Sequence, residues 1–91
     1  MAYLNHHRSV NDPWTIHQHM DQCTRNLELN VCCSGFRLSL RVSYWEREHC
    51  QQPTKVELIA LAEYLWQPGK QVFLSLDHAI QTIKYLEVTR G

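Results

Sequence analysis

Period-two alternation over residues 27–45 is the strongest pattern in the chain. Leu27, Leu29, Val31 and Cys33 alternate with Glu28, Asn30 and Cys32. After Ser34-Gly35, Phe36, Leu38, Leu40, Val42 and Tyr44 alternate with Arg37, Ser39, Arg41 and Ser43, and Trp45 follows. Two alternating runs joined by a Gly-containing pair predict a β-hairpin. A two-residue loop sets Cys33 against Phe36, Val31 against Leu38, Leu29 against Leu40 and Leu27 against Val42. One face is then wholly apolar, and Glu28 lies opposite Arg41 on the other. A one-residue slip would destroy both matches.

Helical spacing appears on both sides of this hairpin. Asp12-Pro13 reads as an N-cap and first helical residue, and Ile16, Met20 and Cys23 recur at helical spacing. This predicts a first helix over 13–25. Glu46 to Pro53 reads as a polar connection. Thr54-Lys55-Val56-Glu57 matches a capping box, and Leu58, Leu61, Ala62 and Leu65 then share a face. Gln67-Pro68-Gly69-Lys70 ends this second helix. Val72-Phe73-Leu74 predicts a short third strand. Ser75 caps a third helix lined by Leu76, Ala79, Ile80, Ile83 and Leu86, with Asp77 in its first turn where the helix dipole favours an anion.

The expected fold class is therefore α+β, in the order α-β-β-α-β-α. A hairpin and a third short strand form a small sheet, with the helices packed on one face. Residues 1–11, polar and rich in His and Asn, are expected to form a flexible arm ahead of a single domain over 12–91.

Composition narrows the function classes. The chain has 91 residues, of which 44% are hydrophobic and 20% charged, which fits one folded domain. Lys and Arg total 9 and Asp and Glu total 9, so the net charge is zero with His neutral. Binding driven mainly by phosphate contacts needs a basic excess, and a DNA mimic needs an acidic one. Neither is present. Zero charge also removes the repulsion between copies, which allows a homodimer. Residues 1–14 hold no apolar run fit for a signal peptide, and no stretch approaches the length of a membrane span. The expected location is the cytoplasm, with Cys23, Cys32, Cys33 and Cys50 as free thiols and no membrane partner.

Candidate chemistry is sparse. Six His and four Cys allow one zinc clip, from His19, Cys23, His49 and Cys50. The close ligand pairs usual for structural zinc are missing, so no metal or other cofactor is expected. His49 beside Cys50 and Asp77 beside His78 are only sequence neighbours, and catalytic partners are assembled in space. Gly35, Gly69 and Gly91 are the only glycines, and they form no phosphate-binding loop. No catalysis is expected. The outer hairpin face, with Arg37, Ser39, Arg41, Ser43 and Trp45, offers a nucleic-acid surface as an alternative function.

The aromatic residues carry the leading expectation. Tyr64 lies away from the Leu58/Leu61/Leu65 stripe, Trp66 only flanks it, and Phe73 points opposite Val72 and Leu74. With Trp45, these are expected anchors for a protein partner, and Arg37 and Arg41 are expected rim contacts.

The segment Val72-Phe73-Leu74-Ser75-Leu76-Asp77-His78-Ala79-Ile80 runs from a strand through a Ser cap into an amphipathic helix. With the single small α+β layout, it resembles the accessory inhibitors of the anti-CRISPR and wider anti-defence type that phages and plasmids encode. That resemblance implies a non-catalytic inhibitor that covers a surface of a larger host protein or nucleoprotein complex. It carries over no functional residue. The missing acidic excess departs from the strongly acidic members of that group.

Overall fold

A computed structural model describes residues 13–90, with the side chain of Arg90 left aside. The expected arm over 1–11 and the expected cap at Asp12 lie outside the described residues. Strands β1 (Thr15–Met20), β2 (Leu27–Cys33) and β3 (Phe36–Val42) come first. Helices α1 (Tyr44–His49) and α2 (Lys55–Leu65), strand β4 (Gln71–Ser75) and helix α3 (Leu76–Arg90) follow. The fold is α+β, a four-stranded mixed sheet with its helices on one face.

The hairpin forms in the register expected from its alternation. Leu27 pairs with Val42, Glu28 with Arg41, Leu29 with Leu40, Val31 with Leu38 and Cys33 with Phe36. Ser34 and Gly35 both take positive φ, 47° and 81°, as a type I′ turn requires.

The first element is a strand, and this corrects the helix expected over 13–25. Ile16 and Met20 suit a helix at i, i+4 and a strand at i, i+2, i+4 equally well. Two features decide for the strand. β2 offers a free edge, so that Ile16 pairs with Val31 and Met20 with Leu27. The turn after Met20 is closed by its own side chains. The carboxylate Oδ1 of Asp21 accepts from the backbone N–H of Cys23 (2.9 Å) and of Thr24 (3.2 Å). The Thr24 hydroxyl accepts from Asn26 N–H, and Arg25 takes the left-handed conformation at φ 61°. Its guanidinium lies over the Tyr44 ring, 4.0 Å from the centroid.

The Asp21 turn titrates. The backbone donors of Thr24 and Cys23 hold the Asp21 carboxyl below its ordinary value. A carboxyl pKa lowered by folding stabilises the fold above the unfolded pKa of about 4, and that contribution disappears as pH falls through the folded value. Asp21→Ala is therefore expected to lower the melting temperature at pH 7, and by less at pH 2. An equal loss at both pH values would show that the charged form contributes nothing.

The third strand of the sequence reading is β4, and it lies parallel beside β3, giving the order β1-β2-β3-β4. The connection runs through α1 and α2. α1 replaces the polar connection and removes Tyr44 and Trp45 from the strand. Ser43 caps α1 through a reciprocal box. Its hydroxyl accepts from Glu46 N–H (3.1 Å), and the Glu46 carboxylate accepts from Ser43 N–H (2.8 Å). The expected box at α2 is also formed, with Thr54 and Glu57 exchanging the same two bonds. At α3 the Ser75 hydroxyl accepts from His78 N–H (3.1 Å).

One core joins the sheet to the helices. Leu27, Leu29, Val31, Phe36, Leu38, Leu40 and Val42 cluster with Leu58, Leu61 and Ala62 of α2 and with Leu76, Ala79 and Ile83 of α3. Trp14 packs its ring edge-on to Phe36 at 6.3 Å. Among the described residues, no helix is long and apolar enough to cross a membrane.

Candidate functional site

Strand alternation turns the remaining side chains onto the sheet face that, among the described residues, no helix covers. Strand pairing arranges them in rows across the four strands. Thr15, Cys32, Arg37 and Gln71 form one row; His17, Asn30, Ser39 and Phe73 the next; His19, Glu28, Arg41 and Ser75 the third. Phe73 is the one large apolar side chain in these rows, and it is 64% exposed. In the parallel register it lies level with Ser39, so Arg37 and Arg41 stand one row away on either side.

Polar contacts hold this face in place. The Ser39 hydroxyl donates to Asn30 Oδ1 at 2.6 Å, and Asn30 Nδ2 donates to Glu28 at 3.4 Å. This chain explains how Ser39 stays buried among polar neighbours. With the Gln71 amide oxygen turned toward Arg37, it accepts from Nε (2.8 Å) and from a terminal guanidinium nitrogen (2.5 Å). Arg37 is thereby partly fixed against β4. A concavity of about 320 Å³ lies between Phe73, Arg41, Glu28 and Ser39. A wider one of about 470 Å³ lies where the Ser34-Gly35 and Gly69-Lys70 turns meet, with Cys32, Arg37 and Gln71 on its wall.

The other expected anchors stand elsewhere. Tyr64 is 53% exposed at the end of α2, and its ring meets that of Tyr85 on α3 at 6.4 Å. Trp66 caps α2 and is also exposed. Trp45 does not belong to the outer hairpin face, which corrects that assignment, because the Ser43 cap starts α1 before the strand reaches it. Trp45 instead stacks on His49 with the ring centroids 4.5 Å apart. Arg37, Arg41 and Phe73 thus share the sheet face, Tyr64 belongs to the helical layer, and Trp45 belongs to α1. Tyr85 was missed by sequence reasoning. Its position in α3, off the Leu76/Ala79/Ile83/Leu86 stripe, was the available signal.

The zinc clip does not assemble. Among the described residues, no three His, Cys, Asp or Glu side chains converge on a point that could hold a metal ion. His19 lies on β1 and Cys23 in the following turn, whereas His49 and Cys50 end α1. His49 is engaged through Nδ1 with the Trp45 carbonyl at 2.9 Å. All four cysteines are free thiols. Compared with family models, curated proteins and solved structures, the chain matches none of them.

Proposed function

We propose that this chain is a non-catalytic binding protein that docks on another protein through exposed aromatic side chains. Its mode of action would be that of a mobile-element inhibitor of the anti-CRISPR type, acting in the cytoplasm by covering a surface of a host protein or nucleoprotein complex. One observation supports this most. Among the described residues the buried core consists of Leu, Val, Ile, Ala and Phe36, with Trp14 and Met20 packed against it, and it leaves Trp45, Tyr64, Trp66 and Phe73 between 41% and 64% exposed. These aromatics are not needed to complete the core, so their exposure calls for another explanation. Trp and Tyr are the side chains that most often anchor protein interfaces.

The test compares tagged wild type with a Tyr64→Ala/Trp66→Ala double variant, both purified from the host at mild salt and weighed by native mass spectrometry. The expected result is one defined protein complex with the wild type and a loss of at least about tenfold in the variant, as removal of anchor residues produces. Unchanged complex and oligomeric state across this pair and a Trp45→Ala variant would overturn the reading.

A second reading is favoured by one feature of the sheet face. Phe73 stands between Arg37 and Arg41, an aromatic platform flanked by two guanidinium groups, as suits a single-stranded nucleic acid. It requires affinity for a single-stranded oligonucleotide that falls steeply with salt, and absent or salt-insensitive binding removes it.

A further inference from the structure

The exposed edge of β4 has the symmetry of a surface built to meet itself. We propose that two copies of this chain pair through β4, antiparallel and centred on Phe73, to make one continuous eight-stranded sheet from two four-stranded ones.

The backbone phase sets the pairing. Arg37 N–H donates to the Lys70 carbonyl at 3.0 Å. In a parallel pair this assigns the backbone groups of Lys70, Val72 and Leu74 to β3 and turns those of Gln71 and Phe73 outward. β4 ends the strand order, so among the described residues these outward groups have no strand beside them. An antiparallel partner centred on Phe73 satisfies them. The two Phe73 residues exchange N–H and C=O, and each Ser75 N–H reaches the Gln71 carbonyl of the second copy.

The side chains fit the same axis. An isologous two-fold contact requires that a residue facing another also be faced by it. The strand reads Gln71-Val72-Phe73-Leu74-Ser75, polar and apolar residues mirrored about its centre. Across the axis Phe73 meets Phe73, Gln71 meets Ser75, and half-buried Val72 meets half-buried Leu74. No residue from Gln71 to Ser75 is ionisable, so no charge is buried. Lys70 precedes the strand and Asp77 follows it, and the antiparallel arrangement brings the lysine of each copy toward the aspartate of the other.

The opposite edge is the poorer candidate. β1 would set His17 against His19 across its own axis, and it exposes no large apolar side chain. β4 also lacks the usual protection of an exposed edge, having no Pro, Lys or other charge within it.

The pairing needs only copies of this chain and no host partner. It assigns Phe73 to self-pairing and leaves Tyr64, Trp66 and Trp45 for a different protein. A five-residue pairing falls short of the roughly 1,200–2,000 Å² of stable interfaces, so the dimer is expected to be weak.

Sedimentation equilibrium over a concentration series tests it with wild type, Phe73→Lys and Phe73→Glu. Phe73 is mostly exposed, so both variants should fold, and far-UV circular dichroism checks that they do. Wild type is expected to dimerise. Each variant alone sets like charges directly opposite and should raise Kd about tenfold or more. An equimolar mixture of the two sets Lys against Glu and should recover the dimer. A wild type that stays monomeric at millimolar concentration, single variants that dimerise like wild type, or a mixture with no recovery would overturn the proposal.

Discussion

Leu40→Ala is expected to lower the free energy of unfolding by about 3 kcal/mol, as deletion of a fully buried Leu side chain does when its surroundings relax only in part. Leu40 is completely buried on β3, between Leu29 of β2 and Leu74 of β4, under the helical layer. β3 touches two strands and both long helices, so neighbours on every side are held by others and cannot collapse into the vacancy. A domain of this length holds roughly 5–14 kcal/mol in all, so the loss removes a substantial share of its stability. In urea the midpoint should fall with the slope unchanged. Val88→Ala, at an 83% exposed position on α3, should stay within about 0.5 kcal/mol of wild type. A cost below about 1 kcal/mol for Leu40→Ala would contradict the central place of β3 in the core.

Gly35→Val should cost about 2 kcal/mol, the scale of a non-glycine residue forced into left-handed backbone, at its worst for a β-branched one. Gly35 sits at φ 81° in the second position of the hairpin turn. The cost is torsional, not steric. A Cβ added there would meet the Gly69 Cα at 3.9 Å, an ordinary contact. Gly35→Asn should therefore be tolerated much better, because Asn adopts the left-handed region readily. Urea titration of the two variants separates the explanations. Equal losses for Val and Asn would point to crowding at the Gly69 turn instead of backbone strain.

Much of this architecture is legible in the residues themselves, and the reasons are local. The hairpin register follows from side-chain alternation, because only one offset sets Leu against Leu while placing Glu28 opposite Arg41. The caps at Thr54 and Ser75 are legible because a hydroxyl near free backbone N–H groups has one strong local use. The same motif at Ser43-Tyr44-Trp45-Glu46 is equally visible, yet the alternation over 27–45 runs three residues past Val42, where the strand ends. When a capping box and a strand pattern overlap, the box wins once the strand has no further partner residue to pair with.

The candidate surface was legible in part. Exposure of Tyr64 and Trp66 follows from their position relative to the apolar stripe of α2, and that of Phe73 from its place opposite Val72 and Leu74 on a strand. Grouping does not follow from it. Phe73 stands near Arg37 and Arg41 only because β4 takes the place beside β3, and nothing in the local pattern of either strand dictates that neighbour.

Residues close along the chain fix the hairpin and its register, the two later helices and their caps, and the α+β class. Competition between distant segments is settled only in the folded molecule. Residues 15–20 could satisfy a helix or a strand, and the free edge of β2, together with the Asp21 turn, selected the strand. The position of β4 beside β3, and with it the exposed face carrying Phe73, arises from the helical layer that must cover the inner side of the sheet. Backbone hydrogen bonds and apolar area are satisfied over the whole fold, and where one segment admits two local solutions, its packing partners choose between them.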